Sequence, residues 1–196
     1  MNTLDNHALD LLFHDARSQN GWRDEPVTDE QLRRLYEIMQ WGPTSMNCQP
    51  LRIQFLRSPE AKERLRPALM PNNVAKTMSA PVVAILGYDT KFYENLPRTF
   101  PHNQKAKSLF EDKPDFAETT AFRNSSIQGG YFIIAARAVG LDAGPMSGFA
   151  NPKVDAEFWP DGRVKSNFLC GLGQGDPEKV FNRSPRLAFD EVCTLV

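Results

Sequence analysis

The chain has 196 residues, the length of one compact domain, and a formal net charge of −1, which is ordinary for a soluble protein. Charged residues make up 24% of the sequence but form no basic block, which argues against nucleic acid or an anionic membrane as a partner. Residues 1–7 lack the basic and apolar regions of a secretory signal, and the apolar run from Ala80 to Leu86 is too short to cross a bilayer. We therefore expect a single domain over residues 1–196, a cytoplasmic location and small molecules as ligands.

The N-terminal part of the chain predicts two helices. Apolar residues at helical spacing predict an amphipathic helix from Leu4 to about Ala16. A second helix is predicted from Thr28 through Met39, because Thr28 and Gln31 have the spacing of a capping box and Gly42-Pro43 stops the pattern. The residues after Pro43 are predicted to form a loop.

The middle of the chain predicts two strands with a helix between them. Apolar and polar residues alternate from Leu51 to Phe55, which is typical of a strand with one buried face. Ser58-Pro59 favours the start of a helix, which we expect to run through Leu69. The run from Ala80 to Tyr88 is apolar on both faces and predicts a central strand, with Pro81 at its start, where no ladder hydrogen bond is lost.

One long helix dominates the second half. The segment from Lys91 to about Phe116 shows no sustained periodicity, so we expect a long loop, either a lid or loosely ordered, with room for one short helix. A helix is predicted from Glu118 to Val139, and its apolar face consists of Ile127, Tyr131, Ile134 and Ala138. Gly129-Gly130 lowers the helix propensity by about 1 kcal/mol per glycine, so we expect another backbone to pack closely there.

The last third predicts a turn-rich segment from Ala143 to Ala150, a short helix from Asn151-Pro152, a strand from Phe168 to Leu172 and a charged tail. Together these elements indicate an α/β or α+β domain. The glycines of Gly171 to Gly175 are not those of a dinucleotide-binding motif, because Asp176 stands where its third glycine belongs. We expect instead that these strand glycines allow a close backbone approach.

Residues that often carry metal or nucleophilic chemistry are scattered. The three cysteines form no C-x-x-C pair and are interpreted as plain thiols, namely Cys48, Cys170 and Cys193. The three histidines form no metal-binding motif, and Ser147 does not lie in a G-x-S-x-G turn. The sequence therefore predicts no metal site and no catalytic side chain.

Three polar segments rich in small residues lie between the predicted elements: Arg17 to Asn20, Gly42 to Pro50, and Gly144 to Phe149. Each by itself is compatible with an ordinary turn. Taken together and in this order, they resemble the nitroreductase family. Pro43 to Pro50 resembles that family's P-S-S-x-N-x-Q-P loop, and Arg17-Ser18 stands in place of its Arg/Ser segment. Pro145 to Gly148 resembles its P-x-x-G turn, and Arg183 to Arg186 resembles its C-terminal basic segment.

The order of these motifs holds from Leu9 to Val192. Within the family, the chain is most similar to the RutE/HadB branch, which includes malonic semialdehyde reductase; the similarity rests on Asn20 to Trp22, Phe122 to Ser126 and Gly144 to Phe149. The resemblance implies an α+β fold of three layers, with a central, mostly antiparallel sheet flanked by helices. It also implies a homodimer that binds FMN.

The resemblance implies which residues bind FMN. A phosphate requires guanidinium and hydroxyl donors, and these are implied to be Arg17, Ser18, Arg183 and Arg186. The flavin ring edge requires amide donors and acceptors, and these are implied to be Asn47 and Gln49. Asn20 stands near flavin N1 and O2, where many relatives have a basic residue, and this departure bears on the flavin potential. The remaining implied cofactor residues are Pro43, Thr44, Ser45, Pro145, Met146, Ser147 and Gly148.

The resemblance also implies the reaction. NADH or NADPH reduces the flavin and leaves, and a small electrophile then takes the hydride from N5 in the same place. The turn from Pro145 to Gly148 is implied to cover one flavin face and to offer a backbone N–H to N5, with Ser147 where some relatives have Glu. Direct hydride transfer requires no side-chain acid or base. The loop from Pro43 to Gln49 is implied to serve the flavin of the partner subunit.

Several expectations concern the acceptor and the dimer. Branch resemblance favours malonic semialdehyde, reduced to 3-hydroxypropanoate; nitroaromatics or quinones, or a flavin-binding protein without turnover, are the alternatives. We expect residues 92–116 to form a lid in which Arg98 and His102 contact the substrate, and a solvated surface loop is the alternative. The helix from Glu118 to Val139 is expected to pack against its twin, or else to be a core helix whose glycines admit a neighbour from the same chain.

Overall fold

The fold is an antiparallel sheet with helices on both faces. The computed structural model describes residues 3–196; Met1 and Asn2, which begin the N-terminal segment without signal-peptide features, lie outside the described residues. Within that range the helices and strands are α1 (Asn6–Leu9), α2 (Asp29–Met39), β1 (Leu51–Leu56), α3 (Pro59–Leu65), α4 (Pro71–Ser79), β2 (Val82–Asp89), α5 (Leu96–Thr99), α6 (Pro114–Ala138), β3 (Asp142–Met146), α7 (Asn151–Phe158), β4 (Val164–Gly173) and α8 (Phe189–Val192).

Strand β2 lies in the centre of the sheet. The strand order is β1-β2-β4-β3, and each neighbouring pair is antiparallel. Every residue of β2 is buried, and Pro81 immediately precedes the strand, which confirms the predicted central strand with proline at its start. A strand covered on both faces must be apolar on both faces, as this one is.

Helices cover both faces of the sheet, so the protein has three layers. On one face Val82, Ala84 and Leu86 pack in a core with α2 and α6, and on the other Val83 and Ile85 pack with α3 and α7. Alternate residues of a strand point to opposite faces, which is why one strand contributes to both cores. This arrangement confirms the α+β class implied by the sequence.

Strand β1, at one edge, differs from its prediction of one buried face. Its first five residues are half-buried on both faces. Ile53 and Phe55 pack against the core under α2 and α6, while the intervening side chains find polar partners. Gln54 donates to the Phe158 carbonyl at 2.8 Å, and Arg52 pairs with Asp89 at 2.6 Å. Polar side chains can be partly buried when they have hydrogen-bond partners, which is why this strand has no fully exposed face.

Strand β3, at the other edge, begins the segment predicted to be a turn. Gly144 pairs with Gly171 and Pro145 with Cys170 of β4, so the prediction of irregular structure was wrong through Met146. Glycine and proline have low strand propensity, but pairing with a buried neighbour overrides it, and proline is tolerated on an edge strand. Strand β4 is also longer than predicted, at Val164–Gly173.

The helix caps predicted from the sequence are present in the structure, whereas the predicted helix lengths differ from the observed ones. The Thr28–Gln31 capping box and the Ser58 cap of α3 are confirmed. The helix predicted to reach Leu69 ends instead as α3 at Leu65, followed by a 3₁₀ turn through Ala68, because proline at position 67 has no N–H to continue it. Helix α4 was not predicted.

The N-terminal helix is shorter than predicted and does not bury an apolar face within this chain. Helix α1 continues into a π turn that ends at His14 rather than at Ala16. Leu4, Leu11 and Phe13 are exposed. The apolar periodicity is real, but the surface that it would cover is not provided by the rest of the described chain.

The face of α6 predicted to be apolar is the exposed one. Ile127 is 42% and Tyr131 41% exposed, and the buried face consists of small and polar residues with Phe132. At Gly129 the close neighbour is the Phe168 ring, 2.5 Å from where a Cβ would lie, and not the backbone that was expected. At Gly130, apart from the adjacent residues and the helix's own backbone, nothing in residues 3–196 lies within 4 Å of such a Cβ.

The segment from Lys91 to Phe116 is more ordered than predicted. It contains a 3₁₀ turn at Phe92–Asn95, helix α5 and a second 3₁₀ turn at Ala106–Leu109. Its buried residues form a core of their own with the start of α6: Phe92, Leu96, Ala106 and Phe110. Packing therefore explains part of this segment. Its prolines mislead the prediction because Pro97 and Pro114 start helices rather than break them.

A buried lysine joins α3 to the end of α4. Lys62 Nζ donates to the carbonyls of Met78 at 3.0 Å and Ala80 at 2.8 Å. These carbonyls lie where a helix end leaves acceptors without partners. Burial removes water from the Lys62 ammonium group and thereby lowers its pKa. The two carbonyl acceptors take the place of that water.

We predict that Lys62→Met lowers the free energy of unfolding by about 1–3 kcal/mol, because carbonyls near the α4 end lose their donor. Urea unfolding measures this. Lys153→Met is the control: Lys153 also donates to a carbonyl, at 3.2 Å, but from an exposed side chain, and it should change stability by less than about 0.5 kcal/mol. Equal stability of Lys62→Met and the wild type would contradict the capping role.

Candidate functional site

Two arginines from opposite ends of the chain meet beside β3. Arg17 donates to the Phe181 carbonyl, and Arg183 donates to the carbonyls of His14 and Ala16, the latter at 3.2 Å. Each guanidinium group thus holds the segment that carries the other. Arg186 donates only to carbonyls of its own segment among the described residues, so the structure does not bring it into contact with this pair.

The segment from Arg17 to Asn20 is fixed along β3. Ser18 forms a parallel bridge with Ala143, and the Gln19 N–H donates to the Ala143 carbonyl at 3.1 Å. A Cβ at Gly144 would lie 2.7 Å from the Gln19 carbonyl oxygen, so only glycine permits this approach.

Trp22 packs between β4 and α4 in the same region. A Cβ at Gly171 would lie 2.6 Å from the Trp22 ring, and the indole N–H donates to the Lys76 carbonyl at 2.9 Å. The strand glycines therefore do allow a close approach, but at Gly171 the group that approaches is an indole ring and not a backbone. This packing ties β4 and α4 to the segment that carries Arg17.

Helix α4 brings in two polar residues that the sequence analysis missed. Lys76 Nζ lies 3.4 Å from Asn20 Oδ1, and Asn73 Nδ2 donates to the Gly148 carbonyl at 2.8 Å. Asn73 and Lys76 are three residues apart and so share one face of the helix. Burial lowers the pKa of the Lys76 ammonium group. Helix α4 thus brings a lysine side chain beside Asn20, which is itself neutral.

The turn from Pro145 to Gly148 rests on α4. Thr77 Oγ1 donates to Met146 Sδ at 3.2 Å, and the Met70 N–H donates to the Gly148 carbonyl at 3.0 Å. Ser147 is exposed at the tip. The residues that converge here are called the β3-edge cluster below: Arg17, Ser18, Asn20, Asn73, Lys76, Pro145 to Gly148, and Arg183.

The loop from Pro43 to Gln49 is strained and internally bonded. Met46, Asn47 and Gln49 have φ angles of 54°, 48° and 41°, which are uncommon for residues other than glycine. Gln49 Nε2 donates to Asn47 Oδ1 at 2.9 Å, and the Gln49 N–H donates to Thr44 Oγ1 at 3.3 Å. These bonds hold the exposed Asn47 amide and the half-buried Gln49 amide together in one turn.

The loop and the β3-edge cluster lie far apart within one chain. The bridge at Ser18 is level with Val82, at the start of β2, through the register of β3 and β4. The loop abuts the other end of β2, where the Asp89 N–H donates to the Pro50 carbonyl at 2.9 Å. At about 3.3 Å per residue, β2 spans roughly 23 Å. The two groups also occupy opposite edges of the sheet.

A cleft of about 930 Å³ lies beside the loop. It is bounded by α2 and β1, and its lining includes Cys48, Gln49, Arg98 and Thr99. Asn47 Nδ2 donates to the Thr99 carbonyl at 2.8 Å, which joins the loop to α5. Arg98 is thus brought beside Gln49. His102 is not part of this lining and packs against Phe100, with ring centroids 3.9 Å apart and the ring planes tilted by 60°.

The cysteines are free thiols, as predicted for the three of them. Burial raises the pKa of Cys48 to about 11 and that of Cys170 to about 12, so neither is a thiolate at neutral pH. Residues 3–196 contain no group of three or more His, Cys, Asp or Glu side chains placed to hold a metal ion. No helix within the same range is long and apolar enough to span a membrane.

Comparison with known proteins identifies the family. The nitroreductase family model matches residues 15–171. A Cupriavidus pinatubonensis protein, named as a candidate NADH dehydrogenase/NAD(P)H nitroreductase, is 61% identical over 192 residues, which cover 97% of this chain and 98% of that protein. HadB of Ralstonia pickettii, with the same candidate name, is 61% identical over 190 residues, covering 96% and 97%.

A solved structure shares the fold. A candidate nitroreductase from Exiguobacterium sibiricum, described in complex with FMN, superposes with a TM-score of 0.86 over 100% of this chain and 99% of that chain, at 19% identity. The fold implied by the sequence motifs is therefore confirmed. The chain belongs to the nitroreductase family.

Proposed function

We propose that this protein is an FMN-dependent oxidoreductase that works as a homodimer. The observation that carries the proposal is the β3-edge cluster, in which cationic, hydroxyl and amide groups from segments far apart in sequence converge beside one exposed turn. The names of the relatives, NADH dehydrogenase/NAD(P)H nitroreductase, and the FMN described with one structural relative support it. FMN, when bound, supplies the hydride chemistry, accepting a hydride from NADH or NADPH and passing it to a small electrophile.

The donor set fits FMN. Arg17 and Arg183 offer guanidinium groups and Ser18 a hydroxyl, which suit a phosphate. Both arginines already donate to backbone carbonyls, so their positions are fixed before a ligand arrives. Arg186 remains a proposed phosphate ligand on sequence resemblance alone.

Lys76 lies beside Asn20 and has the basic side chain that Asn20 lacks. Reduced flavin carries negative charge near N1 and O2, and a cation nearby stabilises it. We propose that Lys76 provides this charge, with Asn20 Oδ1 holding the ammonium group at 3.4 Å. The turn from Pro145 to Gly148 offers backbone N–H groups, and Asn73 fixes it through the Gly148 carbonyl. The hydride transfer itself needs no side-chain acid or base, and the proton that converts the aldehyde oxygen to a hydroxyl would come from solvent.

Distance within the chain favours a site shared between two subunits. The loop from Pro43 to Gln49 and the β3-edge cluster lie on opposite edges of the sheet, so the loop's amides are best placed to reach the partner subunit's flavin. The exposed apolar face of α6 offers a surface for that partner, centred on Ile127, Gly130 and Tyr131. The C-terminal segment exposes further apolar side chains: Phe181, Leu187, Phe189, Val192 and Leu195. Such a surface is unusual for a monomer.

For the acceptor, we propose a small carboxylated aldehyde such as malonic semialdehyde. Arg98 lies beside Gln49 in the cleft, where it can attract a carboxylate. His102 is proposed with less structural support because it packs against Phe100 and does not line the cleft. A nitroaromatic acceptor is the second candidate, since both curated relatives carry the name NAD(P)H nitroreductase.

The phosphate assignment is tested by comparing FMN with riboflavin, which lacks the phosphate. We predict that Arg17→Ala weakens FMN binding roughly tenfold to a hundredfold, about 1.5–3 kcal/mol, and leaves riboflavin binding nearly unchanged. Fluorescence titration of the apoprotein measures both. Arg66→Ala is the control, because Arg66 is exposed and pairs with Glu63 at 2.6 Å. Equal weakening of both ligands by Arg17→Ala would show that Arg17 supports the fold rather than the phosphate.

The dimer surface is tested at Gly130, where a large side chain fits the isolated chain but not a twin helix. We predict that Gly130→Trp sediments as a monomer at micromolar concentration, whereas the wild type and Ala156→Trp sediment as dimers. Ala156 is exposed on α7, away from α6. A wild-type monomer that retains FMN would decide for the alternative in which α6 is only a core helix.

Acceptor choice is tested at Arg98. We predict that Arg98→Ala raises KM for a carboxylated aldehyde about tenfold, while reduction by NAD(P)H and turnover of an uncharged quinone stay near wild type, since only ground-state binding of the acid is lost. Lys105→Ala, an exposed cation in the same segment, should change neither KM. The same loss with both acceptors would mean that the segment supports the fold and does not select the substrate.

A further inference from the structure

Two buried amide side chains of α6 hold the ends of the loop from Pro43 to Gln49. The Ser45 N–H donates to Asn124 Oδ1 at 2.8 Å, and the Leu51 N–H donates to Gln128 Oε1 at 3.0 Å. Asn124 is 2% and Gln128 6% exposed. Because they are four residues apart, both lie on the same buried face of the helix.

The loop needs such anchors. Met46, Asn47 and Gln49 adopt positive φ angles, which cost of order 1–3 kcal/mol each and persist only where the surroundings enforce them. Ser45 and Leu51 bracket these strained residues on both sides. Without acceptors from α6, their N–H groups would also be left without partners among the described residues.

A third contact fixes the carbonyl between the two anchors. Arg52 donates to the Gln49 carbonyl at 3.1 Å and pairs with Asp89 at 2.6 Å. Asp89 is buried and also accepts from Arg163 at 3.0 Å, so Arg52 is held in turn. The loop is therefore fixed at both ends and at Gln49, which leaves the amide side chains of Asn47 and Gln49 facing outward.

We propose that Asn124 and Gln128 are positioning residues that hold the Asn47 and Gln49 amides in register with the partner subunit's flavin. Neither side chain touches the flavin; each acts through a backbone N–H of the loop. Helix α6 would thereby serve two purposes, because its exposed face carries the proposed dimer contact and its buried face sets the loop. The proposal rests on the proposed function, since it requires FMN shared across a dimer.

The arrangement also gives a role to the segment Phe122 to Ser126, which the sequence analysis used only for resemblance. Asn124 anchors the loop, while Ser125 and Ser126 accept from Asn167 Nδ2 of β4 at 2.8 and 3.0 Å. These two bonds join α6 to β4 and involve no residue of the loop.

The test compares Gln128→Met, which removes the acceptor at nearly constant volume, with Gln128→Glu, which keeps it. We expect Gln128→Met to bind FMN about tenfold more weakly and to change the visible circular dichroism of bound flavin, and Gln128→Glu to restore both toward wild type. Asn167→Leu is the control, because it removes an amide bonded to α6 that does not touch the loop. It should lower the unfolding midpoint without changing the flavin spectrum.

Ser45→Pro tests the same anchors from the loop side and leaves α6 intact. Ser45 is the first residue of a 3₁₀ turn and follows an extended Thr44, a position that suits proline, so the change removes the N–H donor and keeps the turn. We expect a change in flavin spectrum of the same kind as with Gln128→Met, and a larger one than with Ser45→Ala, which removes the same hydroxyl but keeps the N–H that Asn124 accepts.

Each outcome decides the proposal. Wild-type FMN affinity and flavin spectrum in both Gln128→Met and Ser45→Pro would overturn the positioning role while leaving the proposed function standing. An equal effect of Asn167→Leu on the flavin spectrum would overturn it too, since the effect would then follow from stability. Failure of the wild type to bind FMN would overturn the proposed function, and the positioning role with it.

Discussion

The position of every binding group follows from the antiparallel pairing of β2 with its two neighbours. Because β2 is buried along its whole length, the edges of the sheet must be formed by other strands, and these are β1 and β3. The register then places the β3-edge cluster level with one end of β2 and the strained loop at the other. These two groups therefore lie too far apart in one chain to contact the same flavin, which is why we propose that a homodimer completes the site.

The polar contacts that organise this arrangement are mostly buried and long-range in sequence. Asp89 joins Arg52 and Arg163, Lys62 caps α4, and the α6 amides hold the loop. A buried polar group is costly unless it is bonded, so each contact tolerates few alternative geometries. Apolar packing determines which layers pack together. These polar contacts determine how the helices and the loop are positioned against the sheet, and the proposed cofactor site depends on that position.

Local signals in the sequence predicted what is local in the structure. The capping residue Thr28, the cap at Ser58 and the doubly apolar β2 were predicted because neighbouring residues alone determine them. Strand β3 was not, because Gly144 and Pro145 are held in a strand by β4, which lies far along the chain. The apolar periodicity of α6 was real, but it marks the exposed face, and a sequence does not say whether an apolar stripe meets its own core or another subunit.

The site was predicted in part for the same reason. Arg17, Asn47 and Ser147 were proposed as cofactor-binding residues from their motifs, and the structure shows which contacts hold the segment of each. Lys76 and Asn73 were missed because α4 was not predicted: its apolar pattern is short, and two asparagines near its start weaken its helix propensity. A proline at the first helical position was the one local signal for this helix. That Lys76 meets Asn20 depends on tertiary packing, which no local pattern encodes.

The central claim, hydride transfer through FMN bound by this chain, is tested most directly by anaerobic mixing of the FMN-reconstituted protein with NADH or NADPH. The account predicts that the visible flavin absorbance bleaches rapidly and returns when a small electrophilic acceptor is added. A protein that binds FMN but keeps its absorbance with both nicotinamides would be a flavin-binding protein without turnover, and a protein that binds no FMN would contradict the account at its root.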